Sequence, residues 1–311
     1  MQRITEMISI VAPAYNESDN VTLFYETVRE VLEGITENWE IVCVNDGSKD
    51  DTLERLLALH EKDARLKVVN LSRNFGKEIA LTAGLDYAKG DAIVPIDTDL
   101  QDPPELIKDM VKLWKEGYDV VYATRIERDG ESFVKKMTAS MFYRVIEKIS
   151  KIQIPRDTGD YRLIDRKVLD ELKKLRETHR FMKGLFSWVG YKQISLPYHR
   201  KPRYAGVTSF NYWKLWNFAI EGITSFSIAP LQLAMYLGLA ASLFAFVYAI
   251  LIVGKTLFFG VDVPGYPSIM VTILFFGGVQ LVSIGILGEY IGRIYNEVKQ
   301  RPLYLVEQYY E

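Results

Sequence analysis

Two stretches near the C-terminal end restrict what this 311-residue chain can fold into more than anything else in it. Leu231 to Val253 runs for 23 residues without a charge, and Ile269 to Leu287 for another 19. About 20 apolar residues cross a hydrocarbon core of ~30 Å, where a lone segment satisfies its backbone amides only as a helix. A short loop containing Gly and Pro joins the runs, so the expectation is a transmembrane hairpin with spans at about 231–253 and 269–291. Buried core helices are the alternative, and two uncharged runs lying so close together argue against it. Arg200, Lys201, Arg203 and Lys214 precede the first span and Arg293, Lys299 and Arg301 follow the second, whereas the loop holds Lys255 balanced by Asp262. The positive-inside rule therefore expects both chain ends in the cytoplasm. Residues 210–229 mix aromatics with Lys214 and Glu221. That mixture suits a helix in the membrane interface, and it also fits a helix packed beneath a soluble domain.

Upstream, from Ile8 to about Ala123, short apolar runs alternate with amphipathic stretches, the pattern of a mostly parallel sheet covered by helices. Strands are expected at Ile8–Ala12, Glu40–Val44, Leu66–Asn70, Ala92–Ile96 and Asp119–Ala123. Val21, Phe24, Tyr25, Val28, Val31 and Leu32 recur at helical spacing between the first two. A second helix carries Leu53, Leu56 and Leu57, and a third begins near Pro104 with Leu106, Ile107, Met110 and Trp114 on one face. The single cysteine, Cys43, falls inside an apolar strand, as a small core residue would. One cysteine permits no internal disulfide, and the N-terminus carries no signal-peptide pattern, so the first 200 residues are expected in the cytoplasm. A net charge of -2 gives no electrostatic footprint for nucleic acid.

Sheets of this kind bind ligands beyond the carboxyl ends of their strands. After the fourth strand come Asp97, Thr98, Asp99, Leu100, Gln101 and Asp102. Two carboxylates one residue apart can aim oxygen ligands at one hard cation, which in turn bridges the phosphates of a nucleotide diphosphate. Alone, the pattern fits turn and capping residues equally well. The first strand ends in Pro13-Ala14-Tyr15-Asn16-Glu17 and the second in Asn45-Asp46-Gly47-Ser48. Tyr15 can stack on a base, and Asp46 can accept the imide N–H of uracil. Ser72 to Lys77 opens a further helix, whose free N–H groups and Lys77 favour an anion, although Gly47 and Gly76 also read as turn residues and Arg73 and Lys77 as solvated cations.

In this order, the Pro13–Glu17, Asn45–Ser48, Arg73–Lys77 and Asp97–Asp102 elements and the hairpin resemble the GT-A-fold family 2 polyisoprenyl-phosphate glycosyltransferases. That group includes dolichol-phosphate mannose synthases, bacterial bactoprenol glucosyltransferases and undecaprenyl-phosphate aminoarabinose transferases. The segment from Gly288 to Arg293 is most similar to the bactoprenol branch. The resemblance implies an α/β protein: a Rossmann-like GT-A domain over residues 1–205, an amphipathic interface segment over 206–229, and a hairpin with a cytoplasmic tail over 230–311. It implies that Pro13, Tyr15, Glu17, Asp46 and Lys77 grip the nucleotide, that Asp97 lies by the ribose and sugar, and that Asp99 and Gln101 hold Mg²⁺ or Mn²⁺. Arg203 matches the family's Arg-x-x-Gly-x-Ser/Thr element, with Ser209 where a Lys is common.

The reaction so implied is inverting transfer of a hexose from a nucleotide diphosphate, first UDP-glucose, to undecaprenyl phosphate at the cytoplasmic face of a bacterial inner membrane. N-acetylglucosamine and mannose are the other candidate sugars, and a tetramer is the implied assembly. A lipid monophosphate has a second pKa of ~6 and needs no general base, so the enzyme's task is to neutralise the departing diphosphate and hold two anions in line. Arg125 and Arg203 suit the acceptor phosphate, as the Lys135-Lys136 pair does unless it is merely solvated. Asp157 is expected to position sugar or acceptor, with capping or pairing to Arg156 or Arg162 as the bland role open to it and to Asp160. A polysaccharide synthase and a non-catalytic scaffold are the competing readings. The missing Gln-x-x-Arg-Trp element argues against the first, and the intact Asp97, Asp99 and Gln101 set against the second.

Overall fold

A computed structural model of the chain describes residues 4–126, 155, 158–199, 227, 229–259 and 265–311. Four parallel strands form its centre: β1 (Ile8–Ala14), β2 (Trp39–Asn45), β3 (Leu66–Leu71) and β4 (Ala92–Pro95). Both faces of these strands are covered, so β1 and β2 are mostly apolar without strict alternation, and the buried Ser9 Oγ donates to Glu40 Oε1 on the neighbouring strand at 2.6 Å. Helix α1 (Val21–Glu33) buries all six residues of its expected stripe. With α2 (Thr52–His60) it covers the sheet face that carries Ile41 and Cys43. Helix α3 (Lys77–Tyr87) sets Ala80 and Ala83 on the opposite face against Val42, Val44 and Val69. It lies so close that a Cβ on Gly84 would come within 2.4 Å of Val11 Cγ1. Cys43 is fully enclosed, and desolvation pushes its thiol up to about 12, so it remains an inert packing group.

The rest of the sheet departs from the simple alternation. Helix α4 (Ile107–Lys115) leads to β5 (Val120–Arg125), the fifth expected strand, but β5 does not lie beside β4. An eight-residue strand, β6 (Thr158–Asp165), runs antiparallel between them, pairing Ile93 with Ile164 and Val121 with Leu163. Asp165 then caps α5 (Arg166–Leu172) by accepting from the Lys167 amide at 3.0 Å. Helix α6 (Met182–Trp188) and strand β7 (Gln193–Tyr198) follow, with β7 parallel to β5 at one edge.

The opposite edge is closed by the C-terminal residues. Two apolar helices intervene: α7 (Ala229–Phe259) and α8 (Tyr266–Val298), of 31 and 33 residues. After them β8 (Val306–Tyr310) pairs antiparallel with β3, giving the order β7-β5-β6-β4-β1-β2-β3-β8. The division expected from sequence leaves these five residues with the hairpin; they are part of the sheet and cover the unpaired edge of β3.

Helices α7 and α8 form a separate compact unit and pack on each other. Both are long and apolar enough to cross a membrane. At ~1.5 Å per residue each exceeds the ~30 Å hydrocarbon thickness. Their faces expose Leu239, Phe244, Phe246, Leu274 and Leu281. A lipid environment removes the cost of about 25 cal/mol per Å² that water would impose on such surface. Of the expected interface segment, only Ser227 and Ala229 are among the described residues.

Candidate active site

The carboxyl ends of β1, β2 and β4 and the loop after β3 carry the residues that the sequence singles out. The β1 and β2 loops are tied together. The Asn16 amide donates to Ser48 Oγ at 3.0 Å, the Lys49 amide donates to Asn16 Oδ1 at 2.9 Å, and the Glu17 amide donates to Thr52 Oγ1 at 2.9 Å. Asn16 sits in the left-handed region at φ 54°, which an Asn tolerates. Glu17 accepts from Asn20 Nδ2 at 2.5 Å at the entry to α1. Pro13 pairs with Val44 inside the ladder, and Tyr15 is 42% exposed.

Asp46 is nearly inaccessible, and its two oxygens accept the backbone amides of Phe75 and Gly76 at 2.7 and 2.9 Å. Desolvation raises its pKa, opposed by those two amides and by the Arg73 charge. The carboxylate thus clamps the loop before α3 while each oxygen keeps a second lone pair. The clamp requires Gly47 next to it. Gly47 has φ +63°, and an added Cβ would stand 2.5 Å from the Arg73 carbonyl carbon.

From the first turn of α3, Lys77 Nζ reaches both Asp97 oxygens at 2.7 and 2.8 Å and Asp160 Oδ2 at 3.2 Å. Desolvation disfavours the ammonium, but the charges of Asp97 and Asp160 outweigh it and raise the Lys77 pKa. Asp160 feels desolvation first, then Lys77, Lys183 and Arg162, with a net lowering of its pKa. Its Oδ1 is buried with no hydrogen-bond partner among the described residues. Glu78, whose Oε2 accepts the Met182 amide at 2.9 Å, is pushed up to about 7 by desolvation and by Asp160. Arg162 lies 4.0 Å over the Phe186 ring, and burial lowers its pKa to about 10.

Asp99 follows on the same loop, buried, accepting the Gln101 amide at 3.2 Å across Leu100, which takes φ 53°. Among the described residues no three His, Cys, Asp or Glu side chains gather into a ready-made cage. A Mg²⁺-like ion takes one or two carboxylates and completes its shell with substrate phosphates and water. The side chains of Asp99 and Gln101 both offer hard oxygen donors, so the residues present fit such a group.

Arg125, at the end of β5, donates from Nε to Tyr198 Oη at 3.2 Å, and the Tyr198 hydroxyl donates to Asp102 Oδ1. Desolvation opposes the guanidinium charge, while Tyr198, Asp102 and Asp97 raise its pKa. The structure thus brings Arg125 to the same strand ends as Asp97. Asp157, Arg203, Lys135 and Lys136 lie outside the described residues. Sequence reasoning did not single out Glu78, Lys183 or Tyr198. A Glu beside a Lys at a helix start carries no local mark of burial, and Tyr198 joins the site only because β7 pairs with β5.

Residues 9–173 match the family described as Glycosyl transferase family 2, and residues 229–294 match the GtrB C-terminal hairpin. The chain is similar to an uncharacterized glycosyltransferase of Synechocystis sp., 57% identical over 97% of this chain and 95% of that one. It is 50% identical to the uncharacterized glycosyltransferase YkcC of Bacillus subtilis, over 97% of this chain and 94% of the relative. The SfII prophage-derived bactoprenol glucosyl transferase of Shigella flexneri is 49% identical over 97% of each chain. Among solved structures, glucosyl-3-phosphoglycerate synthase from Mycobacterium tuberculosis, in complex with Mn²⁺, UDP and glucosyl-3-phosphoglycerate, gives a TM-score of 0.47. The two are 19% identical, over 69% of this chain and 76% of that one.

Proposed function

From a chain that belongs to glycosyltransferase family 2, with a GT-A-like mixed α/β sheet and two apolar C-terminal helices, we infer transfer of glucose from UDP-glucose to a polyprenyl phosphate. The observation that carries this reading is the full-length match to a bactoprenol glucosyl transferase, which extends from the strand-end motifs through the hairpin. A lipid acceptor explains why a soluble nucleotide-sugar site is built on a chain with two helices fit for a membrane.

In this reading the nucleoside lies at the ends of β1 and β2, with Tyr15 against the base, Asp46 accepting its imide N–H, and Pro13 and Glu17 shaping the loop. Asp99 and Gln101 hold Mg²⁺ or Mn²⁺, which supplies charge neutralisation for the departing diphosphate. Lys77 leaves its carboxylate partners in part to meet the donor diphosphate, and Asp97 turns to the ribose and sugar. An acceptor phosphate oxygen forms the new bond to the anomeric carbon from the face opposite the leaving group. The electron pair of the old C–O bond departs onto UDP, so configuration inverts. Arg125 and Arg203 offset repulsion between the two anions, and Asp157 positions sugar or acceptor. Both termini face the cytoplasm, and the working assembly is a homo-oligomer, by resemblance a tetramer.

The test is incorporation of labelled glucose from UDP-glucose into solvent-extractable lipid, using detergent-solubilised protein and undecaprenyl phosphate, beside UDP-N-acetylglucosamine and GDP-mannose. Equal transfer to unphosphorylated polyprenol would overturn the reaction; preference for another nucleotide sugar would overturn only the donor.

A further inference from the structure

Strand β8 does more than cover an edge. Its register on β3 breaks once: Val306 faces Leu71 and Gln308 faces Asn70, leaving Glu307 as the extra residue of a β-bulge. A bulge re-aims the side chain it carries. Here the Glu307 carboxylate accepts Asn70 Nδ2 at 2.9 Å, although 237 residues separate the two in sequence. Asn70 Oδ1 accepts from Asn45 Nδ2 at 2.7 Å, and Asn45 Oδ1 accepts the Ser48 amide at 3.2 Å. Ser48 Oγ in turn accepts the Asn16 amide. The row therefore runs from the C-terminal strand into both loops assigned to the nucleoside.

Its two ends have fixed polarity. A backbone N–H only donates and an ionised carboxylate only accepts, so the Asn45 and Asn70 amides between them have one consistent orientation. Asn45 and Asn70 are buried, at 2% and 6% exposure, where a flipped amide would leave a donor facing a donor. We propose that Glu307 is a positioning residue for the nucleotide donor, which acts through Asn70 and Asn45 to hold the Asn45–Ser48 loop in its binding geometry. The inference rests on the donor site proposed above.

The full-length, detergent-solubilised protein tests it in two measurements: hydrogen exchange of residues 45–49, and calorimetric titration with UDP. Glu307→Gln retains a carbonyl acceptor and should behave as wild type. Asn70→Asp sets a carboxylate against Glu307 and should speed exchange of the loop and weaken UDP binding about fivefold, equivalent to roughly 1 kcal/mol. Adding Glu307→Gln to Asn70→Asp supplies an amide donor to the new carboxylate, and both readouts should recover. Recovery separates positioning from edge pairing, because the backbone ladder of β8 is the same in all variants. Unaltered exchange in Asn70→Asp, or no recovery in the double variant, overturns the relay. Wild-type protein that fails to bind UDP overturns the donor reading instead, while the exchange measurement still reports on the relay.

Discussion

Glu78→Gln gives the sharpest test of the charge cluster beside the candidate active site. The Glu78 carboxyl is pushed up to about 7 from an ordinary 4.5, first by desolvation and then by the Asp160 charge. A raised folded-state value means that the fold favours the protonated form, so the associated stability is present below about pH 4.5 and is lost as the pH climbs through about 7. At 1.36 kcal/mol per pH unit the gap amounts to roughly 3 kcal/mol, and screening at this partly accessible carboxyl brings it to about 2. Gln is neutral throughout and keeps an oxygen for the Met182 amide. The variant should therefore differ from wild type by less than about 1 kcal/mol at pH 5 and be about 2 kcal/mol more stable at pH 8.5. For a unit of this size that is a rise in Tm of roughly 5 °C, measurable by tryptophan fluorescence on solubilised protein. Glu78→Ala, which drops the acceptor for the Met182 amide, should be less stable than Glu78→Gln at both pH values. A Gln variant that melts equally lower at pH 5 and pH 8.5 would refute the assignment of a strained carboxylate.

Asp99→Ala should abolish sugar transfer and a chelator should mimic it, because two phosphate charges would depart without a counter-cation; full activity in excess chelator would remove the metal from the mechanism. Gly47→Ala should destabilise the protein by about 1–3 kcal/mol and weaken UDP binding, since its Cβ would stand 2.5 Å from the Arg73 carbonyl carbon; an unchanged melt and titration would mean that the loops part freely. A reporter inserted at Asp262 should be extracytoplasmic and one after Glu311 cytoplasmic, and finding both on the same side of the membrane would rule out a two-span hairpin.

Features governed by near neighbours were legible in the amino-acid sequence. The α1 stripe from Val21 to Leu32 is buried residue for residue, because a period of 3.6 is set by the helix itself. The five expected strands are present within one or two residues of their anticipated ends, because short apolar runs bounded by polar loops mark the segments that a covered sheet buries. The polar groups after β1, β2 and β4 stand at the carboxyl ends of the strands, as their order along the chain implies, and the length of α7 and α8 follows from uncharged runs. Tertiary structure alone decided what joins across long separations. β6 enters between β4 and β5, which brings Asp160 to Lys77; β7 brings Tyr198 to Arg125; β8 returns past two apolar helices to set Glu307 on Asn70. No local periodicity encodes these pairings. Val306-Glu307-Gln308-Tyr309-Tyr310 is as compatible with a solvated tail as with a strand, and only the open edge of β3, with its unpaired amides and carbonyls, selects the strand.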